Sequence, residues 1–106
     1  MTQDIAVLIE RSDVVEDTAT TLTSVIAKNS LRLVPCRPSK SNITRFVHGP
    51  AVSMVLIGPG VKQPVAMARF AFQASPAVQI IFLSDGAEAE KKLQRELALA
   101  PMIGTN

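Results

Sequence analysis

The fold turns on the stretch Val52-Ser-Met-Val-Leu-Ile-Gly-Pro-Gly60. Val55, Leu56 and Ile57 are large aliphatics in direct succession, and Val52 and Met54 precede them. A short apolar run without alternation fits a strand covered on both faces, as in a parallel sheet. Gly58-Pro59-Gly60 breaks the run and marks the strand's C-terminal end. In open α/β sheets, chemistry gathers just beyond the C-terminal ends of strands. Gly58 occupies such a place and brings no side chain to it.

The pattern recurs on either side of this strand. Upstream, Ile5–Ile9 is an apolar run that ends on Glu10-Arg11, and Leu31–Cys36 is a second strand. Pro35 places the second strand at a sheet edge or at the strand's own end, because proline cannot donate to the ladder. Downstream, Val78–Leu83 is a fourth strand and Met102-Ile103 a candidate short fifth. Helical spacings fill the gaps. Val15, Ala19, Leu22 and Ile26 define one face of a helix that opens at Ser12 as N-cap and runs to about Asn29. Its threonines at 18, 20, 21 and 23 weaken its propensity, so packing must hold it. Pro38-Ser39 opens a shorter helix over Ser41–Val47, with Ile43, Phe46 and Val47 inward, ended by His48-Gly49-Pro50. Pro64 suits the first turn of a third helix, with Val65, Ala68 and Phe72 as its apolar face and Phe70 beside them, to about Ala74. Ser84-Asp85-Gly86 turns into a last helix over Ala87–Leu99, with Ala89, Leu93 and Leu97 inward. This order predicts an α/β fold: a parallel sheet of four to five strands with helices on both faces.

At 106 residues the chain is long enough for one domain with one core. Hydrophobic residues make up 47% and charged residues 19%, which excludes a disordered chain. With aromatics at 4%, the core must be aliphatic. The net charge of +2 does not by itself argue for nucleic acid. Its distribution says more. No acid lies between Asp17 and Asp85, whereas Lys28, Arg32, Arg37, Lys40, Arg45, Lys62 and Arg69 do. Such a run is either a solvated face or a docking face for an acidic partner. Nucleic acid is disfavoured because no aromatic stacking residues accompany the cations. A single cysteine, Cys36, allows no internal disulfide and fits a cytoplasmic protein. No stretch reaches membrane-spanning length, and the chain's end leads us to expect a fragment of a longer multidomain protein.

Candidate chemistry is sparse. Glu10, Asp13 and Asp85 all follow strands, and carboxylates gathered there hold Mg²⁺ in some folds; the alternative is that Asp13 and Asp85 serve helix starts. Gly58-Pro59-Gly60 lacks the further glycines of a phosphate-binding fingerprint and reads as a tight turn. His48 has no nucleophile beside it, and Cys36 reads as a small buried hydrophobe. No metal or cofactor site emerges.

The layout resembles the receiver domain of bacterial response regulators. Val7-Leu-Ile-Glu10-Arg11 is similar to the end of a receiver's first strand, where an acidic pair binds Mg²⁺; Glu10 matches the first acid and Arg11 replaces the second. Ser53-Met-Val-Leu-Ile-Gly58-Pro resembles the third strand, which ends on the phosphate-accepting aspartate, with Gly58 in its place. Ile80-Ile-Phe-Leu-Ser84 resembles the fourth strand, whose terminal Ser or Thr senses the phosphoryl group. The step of 26 residues from Gly58 to Ser84 is close to the family's spacing. No Lys-Pro landmark follows. The resemblance implies a flavodoxin-like (CheY-like), doubly wound fold and a degenerate site at Glu10, Arg11, Gly58 and Ser84. It also implies a non-phosphorylatable pseudo-receiver rather than an enzyme, such as one domain of a sensor histidine kinase. Contact with a protein partner or with other domains of the chain, or a homodimer, would then carry its function. The surfaces expected for this are the basic set Arg37, Lys40 and Arg45 and the face of the last helix. The rival reading is a small-molecule or nucleotide sensor using Gly58–Gly60 and Ser84.

Overall fold

Four strands pair only in parallel, and their register brings all the loops that matter to one edge. The structure is a computed structural model and describes residues 4–48 and 52–104. Strands β1 (Asp4–Ile9), β2 (Leu31–Cys36), β3 (Val52–Ile57) and β4 (Gln79–Phe82) alternate with helices α1 (Val15–Lys28), α2 (Lys40–Phe46), α3 (Pro64–Ala74) and α4 (Ala87–Gly104). The sheet order is β2-β1-β3-β4. Ile9 lies opposite Cys36 on one side and Ile57 on the other, and Ile57 lies opposite Phe82. The ladder continues one residue further: Glu10 N donates to Cys36 O at 3.1 Å, Gly58 N to Ile9 O at 2.8 Å and Leu83 N to Ile57 O at 2.9 Å. All four strands therefore end level.

The two central strands, β1 and β3, are buried on both faces, which is why their sequences do not alternate, whereas the edge strands β2 and β4 leave Arg32, Pro35 and Phe82 exposed. Ala6, Leu8, Met54, Leu56 and Ile81 point to one face, where α1 supplies Leu22, Val25 and Ile26 and α4 supplies Ala89 and Leu93. Val7, Ile9, Val55 and Ile57 point to the other, against Ile43 of α2 and Ala71 of α3. Each fully buried aliphatic contributes roughly 1.5–3 kcal/mol relative to exposure, which offsets the poor propensity of the threonines in α1. Pro35 lies in β2, which is an edge strand, as the missing donor requires.

Several expectations shift. Ser12 does not cap α1: the N-cap is Val14 and no side chain caps it. The carbonyl of Arg11 accepts from the amides of Val14 and Val15 at 3.0 and 2.9 Å, and this turn delays the helix. Phe46 is exposed rather than inward. On α3 the inner face is Met67, Phe70, Ala71 and Ala74, whereas Val65 and Phe72 are 60% and 56% exposed. The positions 67, 70, 71 and 74 also obey helical spacing, and small Ala71 lets the helix approach the sheet closely. Met102-Ile103 continues α4 instead of forming a fifth strand. Gly49 and Pro50, expected to end α2, lie outside the described residues. No helix is long and apolar enough to cross a membrane among the described residues.

Candidate functional site

The order β2-β1-β3-β4 places β1 and β3 side by side, and their connections leave in opposite directions along the sheet. The crevice above such a pair is where ligands bind in open α/β sheets. Here it is filled by the chain itself. Glu10, the residue after β1, is only 1% exposed. Its Oε1 accepts from the amide of Arg11 at 2.8 Å, and its Oε2 accepts from the amide of Gly60 at 3.2 Å. The hydroxyl of Thr18 in α1 makes a long contact with Oε2, at 3.5 Å. A buried carboxylate needs such donors, and two backbone amides supply them.

The carboxylate lies over Gly58. A Cβ on Gly58 would overlap Glu10 Oε2 and Cδ, and one on Gly60 would stand 2.7 Å from Oε1. Neither glycine has a left-handed φ, a conformation that only Gly86 adopts among the described glycines. Both are therefore glycine for space, not for backbone freedom. Gly58 O accepts from Val61 N at 3.3 Å, closing a turn with Pro59 at its second position. That turn aims the Gly60 amide at Glu10.

The other candidate residues do not converge on this point. Arg11 turns outward and grips Asp13 with two hydrogen bonds, Nη2 to Oδ2 at 2.6 Å and Nε to Oδ1 at 3.1 Å. This pair is exposed and worth little to stability. Ser84 is exposed and lines a depression of about 190 Å³ with Asp17, Asp85, Thr18 and Pro59. Two carboxylates beside Ser84 make that depression unfavourable for an anion. Among the described residues, no three His, Cys, Asp or Glu side chains converge as a metal site would need. Glu10 alone, with both oxygens engaged, does not fit Mg²⁺.

Beyond the end of β2 the surface changes sign. A cleft of about 360 Å³ is lined by Arg37, Asn42, Arg45, Phe46, Pro35 and Val15, with Cys36 and Glu10 deeper in. Arg37 and Arg45 are thus brought together. Lys40 is not: its Nζ sits 5.8 Å from the ring centroid of Phe70 and ties α2 to α3. Cys36 is buried, its thiol donates to Arg37 O at 3.4 Å, and burial pushes its pKa up from 9.0 to about 11. It is a structural thiol, not a nucleophile. His48 is exposed.

Sequence reasoning found Glu10 and Gly58 but missed that one fills the space of the other. It also missed Thr18, Asn42 and Phe46 as lining residues. The only sequence signal was glycine at both 58 and 60 just after a buried strand. Compared with family models, curated proteins and solved structures, the chain finds no match.

Proposed function

We propose that the chain is a receiver-like signalling domain that accepts no phosphoryl group and acts by docking to a protein partner or to neighbouring domains. The observation that carries this reading is the Glu10 carboxylate folded over Gly58 and bonded to the Gly60 amide. In a receiver the acceptor aspartate would stand at position 58, just after β3. Here that position has no carboxylate, and the space above it is taken. The strand order agrees with the first four strands of the flavodoxin-like order. Cytoplasmic placement as part of a two-component protein follows from the same reading.

The docking half rests on charge. All seven acids in and around the helices belong to the α1 and α4 side or its loops: Asp13, Glu16, Asp17, Asp85, Glu88, Glu90 and Glu96. The opposite layer carries Lys40, Arg45 and Arg69 on α2 and α3, with Arg37 and Lys62 in the loops before them, and no acid. A face of one sign steers a partner of the other.

A nucleotide sensor is the weaker reading. Such a site would need the Gly60 amide for phosphate, and Glu10 already holds it.

The test has two arms. Beryllofluoride, a phosphoryl mimic, is titrated with Mg²⁺ while backbone amide shifts are followed. No saturable shift at Glu10, Gly58 or Ser84 is expected, and saturable shifts confined to them overturn the inactive site. In the second arm, partner capture from the source cells is compared between the native chain and the triple reversal Arg37→Glu, Lys40→Glu, Arg45→Glu. Proteins retained by the first and lost by the second are expected; identical sets overturn the docking face.

A further inference from the structure

The cleft beyond β2 differs from the crevice over Gly58 in having no internal occupant. Its rim is cationic: Arg37 follows β2 and Arg45 sits in the last turn of α2. Neither guanidinium has a carboxylate partner among the described residues, where the ion pairs are Arg11–Asp13 and Lys91–Glu88. Its wall is mixed: Val15, Pro35 and Phe46 form an apolar patch, the last 38% exposed although it is aromatic, with Ser12 and Asn42 beside them. At the bottom lies the buried Glu10 carboxylate, satisfied by the amides of Arg11 and Gly60.

This arrangement sorts a ligand by parts. An anion is drawn to the rim by two arginines and kept from the bottom by Glu10. An apolar group gains by leaving water against Val15, Pro35 and Phe46. The volume of about 360 Å³ leaves room for one or two side chains. A nucleic acid would find Phe46 as the one aromatic at this cleft to stack a base.

We infer that this cleft is the docking site for an acidic segment of a partner protein, which places carboxylates on Arg37 and Arg45 and inserts an aliphatic or aromatic side chain against Phe46. The inference rests on the docking reading above and assigns it an address and a chemistry. Lys40, tied to Phe70, belongs to the packing between α2 and α3 and not to this site.

The probe is a labelled peptide of alternating Glu and Leu, with Glu/Ser and Gln/Leu peptides as controls. Binding is read by fluorescence anisotropy and mapped by amide shifts of the intact chain. The Glu/Leu peptide is expected to shift Arg37, Asn42, Arg45 and Phe46. Each control is expected to bind roughly tenfold more weakly, through the lost apolar contact or the lost charge. Arg37→Glu with Arg45→Glu is expected to weaken binding by about tenfold or more, and Phe46→Ser by about fivefold, with the fold intact because all three side chains are exposed.

Equal binding of Glu/Leu and Glu/Ser, or no effect of Phe46→Ser, overturns the inference, because binding is then diffuse charge. Binding of anionic phospholipid vesicles or an oligonucleotide in place of the peptide also overturns it. So does a concentration-dependent shift of the same amides without peptide, which assigns the cleft to a second copy. If the triple reversal loses cellular partners while the peptide ignores the cleft, the docking reading stands and this address falls. If neither changes, both fall.

Discussion

The ends of β1 and β3 lie side by side, yet one carries the site's carboxylate and the other carries nothing. Glu10 leaves β1 and leans across; Gly58 leaves β3 and makes room. Two adjacent strand ends share one side-chain volume, so filling one dictates emptiness at the other. A glycine after a strand is commonly credited to backbone freedom. Here the reason is a neighbour.

The sharpest way to break this division is to give both ends a carboxylate. Gly58→Asp forces a second acid onto the buried Glu10, and unfolding by denaturant should show a loss of about 3–5 kcal/mol. Adding Glu10→Ala should restore much of that loss. A Gly58→Asp chain as stable as the parent would mean that Glu10 swings out freely.

Steric exclusion alone is tested next. Gly58→Ala should cost about 1–3 kcal/mol, by displacing Glu10 from the Gly60 amide. In a Glu10→Ala background the same change should cost little, and the coupling in a double-mutant cycle should reach about 1 kcal/mol or more. Additive effects would remove the shared volume.

The end of β2 extends the comparison, because Cys36 is buried there but meets no rival side chain. Its raised pKa means the folded chain keeps the thiol proton longer than the unfolded chain. Its stabilising effect is therefore full below pH 9.0 and is lost as pH rises toward about 11, the value to which burial pushes it. Unfolding curves across that window should lose on the order of 1 kcal/mol that Cys36→Ala no longer loses. The same shift slows alkylation at pH 8 by roughly tenfold or more against an ordinary thiol.

The smallest effect belongs to the end of β4. Ser84 is exposed and makes none of the hydrogen bonds that hold Glu10. Ser84→Ala should change stability by less than about 0.5 kcal/mol in the same assay. A larger loss would show that this strand end also supports the filled crevice.

Val52–Ile57 was legible because a parallel strand buried on both faces must be apolar throughout, and the edge strand Leu31–Cys36 because its apolar residues stand between turn signals; both match the structure residue for residue. The face of α3 was not. Val65, Ala68 and Phe72 and the set Met67, Phe70, Ala71 and Ala74 are both helical stripes, and periodicity cannot choose between two apolar stripes. Contact with β3 and β4 chose the second, leaving Phe72 in solvent. Met102-Ile103 failed for a related reason: two apolar residues after a helical pattern extend α4 as easily as they start a strand.

The sequence by itself determined an α/β order, the segregation of acids from the stretch between Asp17 and Asp85, and the missing side chain at position 58. These are properties of composition and period, and they survive without knowing what touches what. Only the tertiary structure decided that Glu10 occupies the space over Gly58, that Arg11 turns to Asp13, and that Arg37 and Arg45 share a cleft without Lys40. The first of these depends on the level ends of parallel strands, which set residues about fifty positions apart within hydrogen-bonding reach. Spacing along the chain does not encode that distance.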